Sequence, residues 1–314
     1  MPTPLLPLLL AATLGSAQDT PQSAAASFAD SLAIGADAAA VEAVLDARCS
    51  AVEPVTPSPV RFPLARDHEE HLVCDGFTTA AGHRFDRAVF TLADGRLAQI
   101  EVRGDTAPLT AHAGDSIAFG DWTAYPDAAL ITDSAAGTAH ILSEDGLHTN
   151  LFAWHNPLMN GEPLDYGPLT IDLPPQIRPG ESLDTLRPEI EAACPVVQER
   201  VIDPPSLPTQ PTSQIQINCF GYETAGFARK IEFVFGDGQL VLAWILTGRG
   251  ESDRLQAAMD AAYGAPDLAA ADFRFYEGGA VALRFDKPEI LVVQHELGAG
   301  YMAQLAAQAD GSAD

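Results

Sequence analysis

Lysine is nearly missing from this chain: Lys230 and Lys287 are the only two among its 314 residues. Lysine and arginine together number 17 against 43 aspartates and glutamates, giving a net charge of −26. So negative a surface repels the phosphates of nucleic acid and of anionic lipid, which excludes both as partners. Long apolar runs are also scarce, and beyond residue 17 none is long enough to serve as a membrane anchor. There is no glycine-rich phosphate loop, no dinucleotide fingerprint and no Gly-x-Ser-x-Gly turn, so no cofactor is expected.

The remaining composition is globular. Hydrophobic residues make up 47% of a chain long enough for two domains of ordinary size. Met1 to Ala17 carries no charged side chain, holds the run Leu5-Leu6-Pro7-Leu8-Leu9-Leu10, and closes on the small residues Gly15-Ser16-Ala17. That pattern predicts a signal peptide over 1–17, cut between Ala17 and Gln18, and an exported protein, periplasmic or secreted.

Four cysteines organise the rest. Cys49 and Cys74 are 25 residues apart, as are Cys194 and Cys219, and the pairs are offset by 145. At that offset Gly35 falls on Gly180, Gly76 on Gly221 and Phe77 on Tyr222; after a two-residue gap Asp94-Gly95 falls on Asp237-Gly238. This internal repeat selects the disulfides Cys49–Cys74 and Cys194–Cys219 from the three possible pairings, each copy closing its own loop. The expected fold class is α+β, two tandem homologous copies, each an antiparallel sheet packed by helices. The expected limits are a first copy over 18–156, a proline-rich extended linker over 157–180, a second copy with a C-terminal helix over 181–308, and a disordered tail over 309–314.

Within each copy a helix precedes the first cysteine, capped by Asp37 in one and starting near Ser182 in the other, with Asp184 as cap. Asp-Gly between apolar runs predicts a tight hairpin in each copy. A helix capped by Ser252 presents Leu255, Ala258, Met259 and Ala262 and stops at Gly264-Ala265-Pro266. Its region in the first copy, Asp115 to Gly120, is only weakly helical. A last helix is expected over Leu297 to Ala307.

The residues that could carry chemistry are few. His68-Glu69-Glu70-His71 offers two histidines beside carboxylates for a metal or small-ligand carrier, but its spacing reads better as a solvated charge run in a loop. His155 and His295 fall at matching strand ends when Trp154-His155-Asn156 is set against Gln294-His295-Glu296. Trp122, Trp154 and Trp244, with Tyr125 and Tyr301, read as core or subunit-contact residues. Gly114-Asp115-Ser116, with Asp145-Gly146-Leu147-His148 downstream, resembles the nucleophile and Asp-x-x-His blocks of GDSL-type esterases. That resemblance implies Ser116 as a nucleophile served by Asp145 and His148. In that family a buried strand leads into the serine, whereas here Pro108-Leu109-Thr110 precedes it.

The succession of helix, cysteine, loop, cysteine strand and Asp-Gly hairpin, followed by a helix ending in Tyr263-Gly264-Ala265-Pro266, resembles uncharacterised exported bacterial proteins. Its tandem plan, with one short-range disulfide per copy, resembles the β-lactamase inhibitory protein family, in which two such copies form a concave sheet that binds a target protein. The copies here are longer, and no binding residue carries over. The resemblance implies a non-enzymatic binding or envelope-associated module with another protein as partner. The alternatives are an extracytoplasmic hydrolase using Ser116 and a metal or small-ligand carrier using His68 and His71. No catalytic, cofactor or metal residue is assigned.

Overall fold

The computed structural model describes residues 32–311, apart from 112 and 271. The leader expected over 1–17 lies outside the described residues, as do positions 312–314 of the tail.

Each half is built on one antiparallel sheet. The first contains β1 (Ala51–Val55), β2 (Glu69–Asp75), β3 (Arg87–Ala93), β4 (Arg96–Arg103), β5 (Ile117–Phe119), β6 (Trp122–Tyr125), β7 (Leu130–Asp133) and β8 (Thr138–Leu142). The second contains β9 (Val196–Val201), β10 (Gln214–Thr224), β11 (Phe227–Gly236), β12 (Gln239–Leu246), β13 (Leu268–Ala270), β14 (Phe273–Tyr276), β15 (Val281–Arg284) and β16 (Glu289–Val293). Both are 8-stranded, with orders β1-β2-β3-β4-β8-β7-β6-β5 and β9-β10-β11-β12-β16-β15-β14-β13. Strand for strand, the two orders are the same.

The Asp-Gly pairs turn the β3–β4 and β11–β12 hairpins as expected. Asp94 and Gly95 have φ of 49° and 77°, and Asp237 and Gly238 have 47° and 77°, the left-handed pair that a two-residue hairpin requires. Each aspartate also anchors the loop before the hairpin. Asp94 accepts the backbone N–H of Arg66, Asp67 and His68, and Asp237 accepts those of Thr212 and Ser213.

Helices α1 (Ala38–Arg48) and α4 (Leu183–Ala193) lie on equivalent faces of the two sheets. Asp37 caps α1 by accepting the Ala40 N–H, while Val41 and Leu45 are fully buried. Ser182, not Asp184, caps α4, because its hydroxyl reaches the Thr185 N–H; Leu186 and Ile190 fill the core below. Each helix hands the chain to a cysteine at its C-cap, and the disulfides Cys49–Cys74 and Cys194–Cys219 tie it to β2 and β10. A loop of 25 residues closed in this way stabilises by about 3.5 kcal/mol through the unfolded chain.

The region after the fourth strand differs between halves. The second carries α5 (Ser252–Tyr263), with Leu255 and Met259 buried. Ser252 is its first residue rather than its cap, and Ala262 is exposed. The first carries only a short α2 (Ala107–Thr110), and residues 117–119 form β5 instead of a weak helix. Each closing strand is followed by a helix, α3 (Glu144–Thr149) in one half and α6 (His295–Gly311) in the other. Helix α6 runs through 309–311, which the sequence assigns to a disordered tail. From Tyr301 to Asp310 it is alanine-rich and free of glycine and proline, which favours continued helix.

The proline-rich segment after residue 157 packs along its length. Leu164 and Tyr166 lie against a core shared by both halves, and Leu169, Ile171 and Leu173 against the core of the second. That shared core joins Phe62, Trp122, Phe152 and Trp154 to Phe220 and Phe227. Beside it the second half grips the loop around Pro63. Arg254 donates to the carbonyls of Phe62 and Ala65, and a Cβ on Gly248 or Gly250 would come within 2.3 Å of that loop's backbone. The gripping turn is held from behind by Glu251, bonded to the buried guanidinium of Arg229 at 2.6 and 2.9 Å.

Candidate functional site

Each sheet has a helix face, packed by α1 or by α4 and α5, and a far face. Strand alternation assigns the far-face residues, and the two far faces are unlike.

On the first sheet the far face is polar and buried. Glu69 and His71 on β2, Thr91 on β3, Gln99 and Glu101 on β4, and Thr138 and His140 on β8 are all nearly inaccessible. This corrects the reading of His68-Glu69-Glu70-His71 as a solvated loop: the run begins a strand, and its alternation sends Glu69 and His71 inward. His71 Nε2 lies 2.8 Å from Glu69 Oε1, and its Nδ1 lies 3.0 Å from the Thr91 hydroxyl. Tyr166, from the strap that follows residue 157, donates to Glu69, whose other oxygen accepts the N–H groups of Arg61 and Phe62. Burial alone would raise the Glu69 carboxyl, but these hydrogen bonds outweigh it and hold the group below its ordinary value. The result is a saturated tether joining strap, loop and strand, sealed from solvent. Among the described residues no three His, Cys, Asp or Glu side chains converge to hold a metal ion.

Next to the tether, Glu101 and His140 face each other across β4 and β8. Burial pushes Glu101 up to about 8 and His140 down to about 3, so near neutral pH both are uncharged.

The remaining sequence candidates are dispersed. Ser116 is exposed just ahead of β5. Asp145 lies 3.6 Å from Arg249, and His148 Nε2 donates to the Pro288 carbonyl at 3.0 Å, so both serve the contact between halves. Burial holds His148 below its ordinary value. No hydrogen bond among the described residues joins Ser116 to either. His155 and His295 are not equivalents. Ser143 bonds Ala98 as Gln294 bonds Val241, so the counterpart of Gln294 is Ser143, not Trp154. His155 follows a turn of 3-10 helix, whereas His295 opens α6 and lines an open depression of about 530 Å³ with Tyr263, Asp267 and Glu277.

The far face of the second sheet is where side chains of recognition chemistry meet solvent. One row crosses it from Gln198 through Asn218, Glu232 and Trp244 to Leu291 and Ala282. The adjoining row pairs Glu289 with Arg284 and Arg284 with Phe273. The Arg284 guanidinium lies over both the Trp244 ring, at 6.0 Å, and the Phe273 ring, at 5.6 Å. Helix α6 covers one end of this face with Leu297, Met302 and Leu305. Trp244, Phe273, Arg284, Glu232 and Gln216 stay half-buried. Of the three tryptophans, Trp122 and Trp154 are core residues and Trp244 is not.

Both lysines of the chain belong to this region, and each is paired with a carboxylate, as is Arg284. Lys230 pairs with Glu232 at 2.6 Å, Arg284 with Asp286 at 2.6 Å, and Lys287 with Glu289 at 2.8 Å. Gln216 and Asn218 are hydrogen-bonded in line with Gln198. Sequence reading passed over this strip, although Gln214-Ile215-Gln216-Ile217-Asn218 and Lys230-Ile231-Glu232-Phe233 alternate polar with apolar, the signal of a strand with one wetter face.

Among the described residues no helix is long and apolar enough to cross a membrane. The two closed disulfides fit an oxidising, extracytoplasmic environment. No protein-family model matches the chain, and no curated protein or solved structure is significantly similar to it.

Proposed function

We propose that this protein is a non-enzymatic binding module, working outside the cytoplasm or at the cell envelope, that recognises another protein through the far face of its second sheet. The observation that carries this reading is the partly exposed strip of Trp244, Phe273 and Arg284. Tryptophan and arginine are the side chains that concentrate binding energy at protein interfaces. Its cations Lys230, Arg284 and Lys287 are each paired with a carboxylate, on a molecule of net charge −26. A partner can dock there without burying an unpaired charge or facing the repulsion of the surrounding surface.

The test is affinity capture from an extracytoplasmic extract on immobilised wild type, Trp244→Ala and Arg284→Ala, with near-UV circular dichroism to show that each variant is folded. An interface tryptophan is worth about 2 kcal/mol or more, so Trp244→Ala should weaken retention of the captured protein roughly 30-fold. A protein retained equally by all three forms would reject this face as the binding surface.

A further inference from the structure

The strands that carry Glu101 and His140 hold four buried side-chain atoms with no hydrogen-bond partner among the described residues: Gln99 Oε1, Glu101 Oε2, Thr138 Oγ1 and His140 Nε2. They are neighbours. Glu101 and His140 are direct partners in the β4–β8 ladder, Thr138 lies two residues along β8 on the same face, and Gln99 Nε2 is 3.3 Å from His140 Nδ1. Three polar groups beside them, Asn156, Asp133 and Arg103, are engaged elsewhere or by Glu101. The Asn156 N–H is bonded to the Glu101 carboxyl. Asp133 accepts the Trp122 indole N–H at 2.8 Å, and Arg103 donates to Asn160 at 2.7 Å. His155, which is exposed, is the remaining charged or titratable group close to His140.

We propose that Gln99, Glu101, Thr138 and His140 form an internal binding site for water, in which a water molecule accepts the Nε2–H of His140 and the carboxyl O–H of Glu101. The donor logic follows from Gln99. Its amide N–H points at His140 Nδ1, which must then accept, so the neutral ring carries its proton on Nε2. That N–H faces the strand partner, whose one oxygen takes the Asn156 N–H and whose Oε2 carries the carboxyl proton, so two donors meet. Water accepts from both and can donate onward, and buried polar atoms left over by a protein are commonly joined by it through about three hydrogen bonds. A metal ion is a poorer match, since too few His, Cys, Asp or Glu side chains converge here.

The second half shows that the sheet does not need this set. The positions equivalent to Gln99, Glu101 and His140 are Leu242, Trp244 and Leu291, two aliphatic side chains and an indole, and only Thr138 has a polar counterpart, Glu289, which is paired with Lys287. Copy one thus holds a hydrated polar pair where copy two holds apolar packing. Asn156 closes the site from above, its N–H on Glu101 and its amide 3.4 Å from His71 Nδ1, so one residue joins the hydrated pair to the Glu69 tether.

The experiment is a water-to-imidazole Overhauser measurement on the full chain labelled with ¹⁵N-histidine at pH 6. The expected spectrum shows His140 as the Nε2–H tautomer with a cross-peak to a long-lived water, and His71, whose Nε2 faces Glu69, without one. An Nδ1–H tautomer at His140, or an Nε2–H with no water cross-peak, overturns the proposal. In the double variant Glu101→Leu with His140→Leu, which makes the pair apolar as it is in the second half, the long-lived water signal should disappear. A folded double variant that keeps it would equally overturn the site; should that variant not fold, the wild-type spectrum decides alone.

Discussion

Glu101 and His140 make stability depend on pH with a shape that can be worked out beforehand. Burial moves the Glu101 carboxyl from its ordinary 4.5 to about 8, and the His140 imidazole from 6.5 to about 3. Between 4.5 and 8 the unfolded chain has lost the glutamate proton that the folded chain keeps. This group therefore makes stability fall with rising pH, by about 1.4 kcal/mol per pH unit. Between 3 and 6.5 the unfolded chain holds a histidine proton that the folded chain lacks, so stability rises with pH at the same rate. From 4.5 to 6.5 the slopes cancel, leaving a plateau with a falling shoulder on each side. The alkaline shoulder, from 6.5 to 8, amounts to about 2 kcal/mol. Glu101→Gln keeps an acceptor for the Asn156 N–H and removes the titration, so it should abolish that shoulder. Urea unfolding followed by tryptophan fluorescence gives both curves, and their difference isolates Glu101, because all other titrating groups are shared. Parallel curves for wild type and variant between pH 6.5 and 8 would refute the reasoning.

Three further outcomes are expected. Non-reducing peptide mapping returns Cys49–Cys74 and Cys194–Cys219, and Cys194→Ser with Cys219→Ser lowers the unfolding free energy by about 3.5 kcal/mol. Arg229→Met, which strands the buried Glu251 carboxylate beneath the contact between halves, costs about 3–5 kcal/mol, while Arg229→Met combined with Glu251→Leu recovers much of it; equal losses in denaturant titrations would contradict the pairing. The thermal midpoint at neutral pH rises from dilute buffer to 1 M sodium chloride, where the Debye length is about 3 Å and the self-repulsion of −26 charges is screened.

The frame of the fold was legible because its markers are local. Cysteine spacing, the Asp-Gly turns and the Asp37 cap each act within a few residues or repeat at a fixed offset. The misreadings share one cause, which is that packing decided them. Glu69 and His71 look like surface residues until Tyr166, nearly a hundred residues later, supplies the hydrogen bond that lets them be buried. His155 was set against His295 because both stand in polar triplets, whereas the backbone bonds of Ser143 and Gln294 fix the true correspondence. The partly exposed strip on the second far face is hidden for a related reason. Trp244 lies in the apolar run Leu240-Val241-Leu242-Ala243-Trp244 and reads as core, and only the uneven cover given by α6 leaves it half-exposed.

The claim that the second far face is the recognition surface is tested most directly by hydrogen-exchange mass spectrometry of the captured complex against the free protein. Binding on that face should slow exchange in β11, β12 and β15, around Glu232, Trp244 and Arg284, and leave β1 to β3 of the first half unchanged. Protection confined to the first half, or to the outer edge at β13, with none at Trp244, would contradict it.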